Sequence, residues 1–135
     1  MKTLSDLSKD IEKMKDDIIR KVGDELAELG EEACTHARMS AGYNDLTGTT
    51  RSAFKYRVQR DGSTIAEGGY EEVPGVKPKT LNPEQLADEA LDTESGGDGL
   101  TLTFVNGSPY AKYLEDNGRN VTHLTEAMMR DKLRN

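Results

Sequence analysis

Residues 54–63 read Phe54-Lys55-Tyr56-Arg57-Val58-Gln59-Arg60-Asp61-Gly62-Ser63. Apolar and polar side chains alternate through this run. A two-residue period puts Phe54, Tyr56 and Val58 on one face of a strand and Lys55, Arg57 and Gln59 on the other. Asp61-Gly62 is a strong short-range hairpin signal, and residues 63–67 form the returning strand, with Ile65 as its main apolar residue. A later run alternates Leu100, Leu102 and Phe104 with Thr101, Thr103 and Val105, which predicts a third strand ended by Asn106-Gly107.

The flanking segments have the helical period instead. Leu4, Leu7, Ile11, Met14, Ile18, Val22, Leu26, Leu29 and Ala33 recur at three- and four-residue steps, which predicts one amphipathic helix from residue 4 to about residue 38. Thr3 or Ser5 suits its start. Unbroken, it is roughly 50 Å long at 1.5 Å per residue. Gly23 and Gly30 weaken it by about 1 kcal/mol each and mark points for a bend. The stripe predicts a helix lying on its own sheet; a coiled-coil-like contact with a second copy is the alternative. Near the other end, Ser108 and Pro109 open a short helix in which Tyr110, Ala111, Tyr113 and Leu114 form an apolar patch, stopped by Asn117-Gly118. A last helix starts near Thr122 or Thr125 and points Leu124, Ala127, Met128 and Leu133 inward.

The sum is a single α+β domain over 1–135: a long N-terminal helix (1–39), a strand hairpin (46–68), a variable mobile insert (69–99), and a strand plus short C-terminal helices (100–135). The small antiparallel sheet has at least three strands. The insert holds Pro74, Pro78 and Pro83 and a Gly-rich tract, and Asn82-Pro83 opens a short helix within it. Between Glu84 and Asp98 every charge is acidic.

Bulk composition removes several function classes. The 135 residues carry a formal charge of −7, which argues against direct binding of nucleic-acid phosphate. No apolar run reaches membrane-spanning length, and the first residues lack the apolar core of a secretory signal, so a cytoplasmic origin is expected. The single cysteine, Cys34, excludes an internal disulfide. With no Trp and only Phe54 and Phe104 as phenylalanines, the core is thin, and part of the stability is expected from assembly.

Cys34 and His36 sit two apart on a helix and so face different ways, which reads as structural and not as a nucleophilic pair. His36 and His123 are far apart, and no Cys or His spacing fits zinc. The tract from Asp88 to Asp98 lacks the order of a calcium loop. Gly96-Gly97-Asp98-Gly99 precedes a strand, the wrong context for phosphate, and reads as a flexible linker. Arg51, Lys55, Arg57 and Arg60 form the one basic cluster, read as the solvent face of an edge strand, with a DNA-facing role as the alternative. No catalytic residue, cofactor or metal is predicted.

Two segments remain: Leu46-Thr47-Gly48-Thr49-Thr50-Arg51-Ser52 and Ser108-Pro109-Tyr110-Ala111-Lys112-Tyr113-Leu114-Glu115-Asp116-Asn117-Gly118. In this order they resemble the pattern of the phage tail-completion or head–tail joining family of long-tailed double-stranded DNA phages and prophages. Thr47, Gly48, Arg51 and Ser52 match its first motif; Tyr110, Ala111, Tyr113, Glu115 and Gly118 approximate its second. Thr50 stands where the family often has an apolar residue, and Gly118 falls one place late. The resemblance implies a non-enzymatic virion protein at the head–tail junction. It implies self-association into a ring and partners among other phage structural proteins (connector, tail tube or terminator). The implied location is the virion, and the host cytoplasm during assembly. An adaptor module using the long helix to bind a partner is the alternative. Physically, Gly48 is expected to give backbone freedom at the helix-to-sheet corner. Arg51 is expected to reach a carboxylate such as Glu115, and Tyr110, Ala111 and Leu114 to seal the end of the sheet.

Overall fold

Helix α1 (Leu4–Met39) runs unbroken for 36 residues. The structure is a computed structural model and describes Met1 and residues 3–134. Thr3 caps α1: its hydroxyl accepts from the Asp6 N–H at 3.2 Å, and the Asp6 carboxylate accepts from the Thr3 N–H at 3.0 Å. A single turn, α2 (Thr49–Ser52), leads into strand β1 (Phe54–Arg60), which turns back into β2 (Ser63–Gly68). Asp61 (φ 50°) and Gly62 (φ 84°) both take positive φ, the geometry of a type I′ hairpin turn. α3 (Pro83–Glu94), β3 (Leu100–Asn106), α4 (Ala111–Asp116) and α5 (His123–Arg134) complete the chain. The fold is α+β, with a three-stranded antiparallel sheet in the order β2-β1-β3.

β1 is therefore the central strand, which corrects the reading of its basic residues as an edge strand's solvent face. Lys55 is buried, 3.4 Å from Glu67 and 2.6 Å from Asp88. Arg57 lies 3.0 Å from Glu67 and 2.9 Å from Asp92. Asp88 and Asp92 belong to α3, so the acidic run of the sequence covers the basic face of the strand. α3 is a docked helix inside the stretch expected to be a mobile insert: Ala87 and Leu91 are fully buried.

The opposite sheet face meets α1 through small residues. Gly23, Ala27, Gly30, Cys34 and Ala37 follow each other at four- and three-residue steps and share one side of the helix. Cys34, Ala37, Tyr43, Phe54, Tyr56, Val58 and Val121 form the core cluster. Phe54 and Phe104 stack with centroids 5.8 Å apart. The Leu/Ile stripe lies to one side of this contact and is divided. Leu29 and Ala33 are buried, where α5 runs back along α1 with Thr125 at His36 and Lys132 at Glu32. The other half is bare: Leu4 is 86% exposed and Ile18 60%. α5 also turns differently from expectation. Thr125, held by His36 Nδ1 at 2.7 Å, is its fully buried residue, while Leu124, Ala127 and Leu133 are exposed and Met128 is half-buried.

A methyl group at residue 30 would stand 2.4 Å from Cγ of the Tyr56 ring, whereas one at residue 23 would meet only the flexible tip of Ile65 at 3.0 Å. Alanine normally stabilises a helix interior relative to glycine by about 1 kcal/mol. We expect Gly23→Ala to follow that rule in urea unfolding. Gly30→Ala should reverse it, destabilising by about 1–3 kcal/mol as an overpacked core position does.

Candidate functional site

Residues 45–52 fold into a tight corner between α1 and the sheet. Gly48 takes φ +78°, and a Cβ there would lie 2.0 Å from the carbonyl oxygen of Val73. Asp45 organises the turn, its carboxylate accepting from the Gly48 N–H at 2.9 Å and the Arg51 N–H at 2.8 Å. Ser52 Oγ donates to the Gly48 carbonyl at 2.6 Å and accepts from the Val73 N–H at 2.7 Å. Thr47 Oγ1 meets Thr49 Oγ1 at 2.8 Å. Arg38, from the end of α1, closes the other side. Its guanidinium donates to the carbonyls of Arg51 (2.9 Å) and Ser52 (3.3 Å), groups a one-turn helix leaves without partners of its own, and to the carbonyl of Phe54 (3.3 Å) at the start of β1.

The second segment meets this corner. Thr50 Oγ1 and Ser108 Oγ are 2.8 Å apart and buried. Asn106 Nδ2 donates to the Thr50 carbonyl at 2.7 Å, and its Oδ1 accepts from the Ser108 N–H at 2.9 Å. Two stretches 58 positions apart are thus joined by a short polar chain. Ser108 Oγ accepts from the Tyr110 N–H at 3.2 Å, and α4 begins at Ala111. Gly118, at φ +74°, ends that helix, its N–H bonding the Glu115 carbonyl at 3.0 Å.

The expected Arg51–Glu115 pair is not formed; each side chain is occupied elsewhere. Arg51 Nη2 donates to the Tyr43 carbonyl at 2.7 Å, and its guanidinium lies 5.2 Å from the centroid of the Tyr43 ring. Glu115 Oε1 accepts from the N–H groups of Val121 (2.9 Å), Thr122 and His123 (3.2 Å), and from the Thr122 hydroxyl (3.1 Å). A carboxylate there satisfies donors at the start of α5 and complements its dipole. Burial raises the Glu115 pKa, but these donors outweigh it and hold the carboxyl below its ordinary value.

The four apolar residues of the second segment divide. Ala111 and Leu114 pack against the core cluster. Tyr110 and Tyr113 are 60% and 68% exposed, so Tyr110 does not seal the sheet. Cys34 and His36 do face different ways: Cys34 is fully buried, its thiol pushed up to about 12 chiefly by burial, while His36 holds Thr125. Arg38, Asp45 and Asn106 join the site beyond the residues expected there, Asn106 being expected only as the end of the third strand. Asp45, three residues before Gly48, carries a local capping signal; Arg38 carries none, because its partners are backbone carbonyls 13 to 16 positions away.

Among the described residues, no group of three or more His, Cys, Asp or Glu gathers as a metal site, and no helix is long and apolar enough to cross a membrane. No family model, curated protein or solved structure matches the chain.

Two measurements probe the site. Removing one hydroxyl of the Thr50–Ser108 pair leaves the other buried without it, at a cost of about 1–3 kcal/mol. Thr50→Val and Ser108→Ala should each destabilise by that amount, and the double variant by clearly less than their sum. Glu115 is stabilising as the carboxylate. Its contribution is present above the usual glutamate range and disappears as pH falls through the lowered folded value. Glu115→Gln should cost about 1–3 kcal/mol at neutral pH, and the two proteins should converge in stability once acid has protonated the parent's carboxyl.

Proposed function

We propose that this chain is a non-enzymatic structural protein of a tailed phage or prophage, acting at the head–tail junction in neck assembly or tail completion. The observation that carries the reading is the Thr50–Ser108 contact, which unites the two segments that resemble the phage family. The departure at Thr50 is the residue that makes the bond. Around it, Ser52 and Glu115 of the two segments and the neighbouring Arg38, Asp45 and Asn106 are engaged chiefly with backbone, which suits a scaffold.

The surface supports docking. Tyr110 and Tyr113 stand exposed one helical turn apart, and aromatic residues of this kind anchor protein interfaces. Repeated head-to-tail contacts between copies close into a ring. DNA is not the expected partner, because Lys55 and Arg57 already face Glu67, Asp88 and Asp92. The working place of the protein is then the virion, reached from the host cytoplasm.

The bare N-terminal half of α1 favours a second reading, an adaptor that binds a partner through that helix. The two separate genetically. Deleting the gene from the phage or prophage that encodes it should give lysates with unjoined heads and tails under the electron microscope. The Tyr110→Ala/Tyr113→Ala variant should fold yet fail to restore joining. Normal virions from the deletion would reject the junction role.

A further inference from the structure

β3 is an unguarded sheet edge. It pairs with β1 alone among the described strands. The other edge, β2, is interrupted where the register slips between Val58 and Gln59, and it carries Glu67. β3 has no charge, no proline and no such slip, so the usual devices that keep a strand edge from pairing are missing.

A groove of about 690 Å³ lies along this strand. Five consecutive residues, Leu102 to Asn106, border it. Neighbouring strand residues point to opposite sheet faces, so a groove that touches all five follows the strand's edge and not a face. α3 forms one wall and α4 with α5 the other. Walls on both sides leave room for a single extended backbone, roughly 17 Å long over five residues.

The lining specifies the side chains such a backbone would carry. Toward α5, Leu102, Phe104 and Met129 offer apolar contact. Toward α3, Ala90 and Val105 are apolar while Thr103 and Glu94 are polar, and Glu126, on α5, is an acid on the opposite wall. Glu115 also borders the groove, but its carboxylate is engaged at the start of α5. Among the described residues, Lys112 is the one cation on the lining, and it lies 3.5 Å from the Asp116 carboxylate.

We infer that β3 accepts an extended segment of another protein as a fourth strand, a segment that carries both apolar and cationic residues. Main-chain hydrogen bonds would supply affinity, and the two walls would read alternate side chains. The inference rests on the assembly reading only for who supplies the segment.

The test uses the full chain and a capped heptapeptide of alternating valine and lysine, followed by backbone NMR and amide hydrogen exchange. Binding should slow exchange about tenfold or more at alternate β3 amides, those directed away from β1. A valine–glutamate peptide, or a valine–lysine peptide N-methylated at alternate amides, should bind at least about tenfold more weakly. The Glu94→Gln/Glu126→Gln variant should bind the valine–lysine peptide several-fold more weakly, with a shallower salt dependence. Unchanged β3 exchange at millimolar peptide, or equal binding of the glutamate peptide, would overturn the inference. So would β3 protection that rises with the concentration of the protein alone, since the occupant would then be a second copy. These outcomes are independent of the deletion phenotype, so either idea can fail without the other.

Discussion

The ring of Tyr56 occupies the space where a side chain at residue 30 would stand, and the rest of the architecture follows from that closeness. Only a helix face of glycine, alanine and cysteine lets α1 approach the central strand so nearly. The approach brings Cys34 and Ala37 into the core beside Phe54 and Val58. It also places the Glu31 carboxylate where the Tyr56 hydroxyl can donate to it at 3.0 Å. Arg38, one turn beyond Cys34, then arrives at the carbonyls of the corner that begins the sheet. A larger residue at position 30 would push the helix outward and loosen each of these contacts together, because packed interiors do not absorb volume locally.

β1 joins two different kinds of layer. Its apolar face packs on α1; its basic face is matched by acids of α3 and β2. Taking Lys55 and Arg57 out of water is costly, and the paired acids offset that cost with little net gain. The consequence is specificity of docking more than stability: α3 fits this face because Asp88 and Asp92, four positions apart on one side of a helix, meet Lys55 and Arg57 in turn. The charges that would otherwise make a basic surface are consumed inside the fold. This is why an overall charge of −7 and a basic strand coexist without a cationic patch on β1.

The junction of Thr50, Asn106 and Ser108 turns two weak sequence signals into one structural unit. It fixes the start of β1 against the end of β3, and from there α4 projects Tyr110 and Tyr113 into solvent. Rigid polar corners of this kind serve a protein that must present surfaces in a set orientation. The bare half of α1, the tyrosine pair and the open edge of β3 are three such surfaces. All three lie outside the layered core, where exposure leaves them available to neighbours.

Much of this was legible from the chain alone. Period-two alternation placed β1 and β3, Asp61-Gly62 gave the hairpin, Thr3 or Ser5 the first cap (Thr3 in the structure), and Asn82-Pro83 the start of α3, because these are local consequences of backbone sterics and side-chain periodicity. The resemblance picked out Thr47 to Ser52 and Tyr110 to Gly118 as a pair worth seeking together. What sequence could not decide was which side of each element finds a partner. The Leu/Ile stripe of α1 was the stronger signal, yet the sheet chose the small-residue face, since close approach rewards absence of bulk and hydrophobic patterning does not register it. In the same way Arg51 took Tyr43 and Glu115 took the first turn of α5. Long side chains have several partners within reach, and only the three-dimensional arrangement of backbone donors and acceptors selects among them.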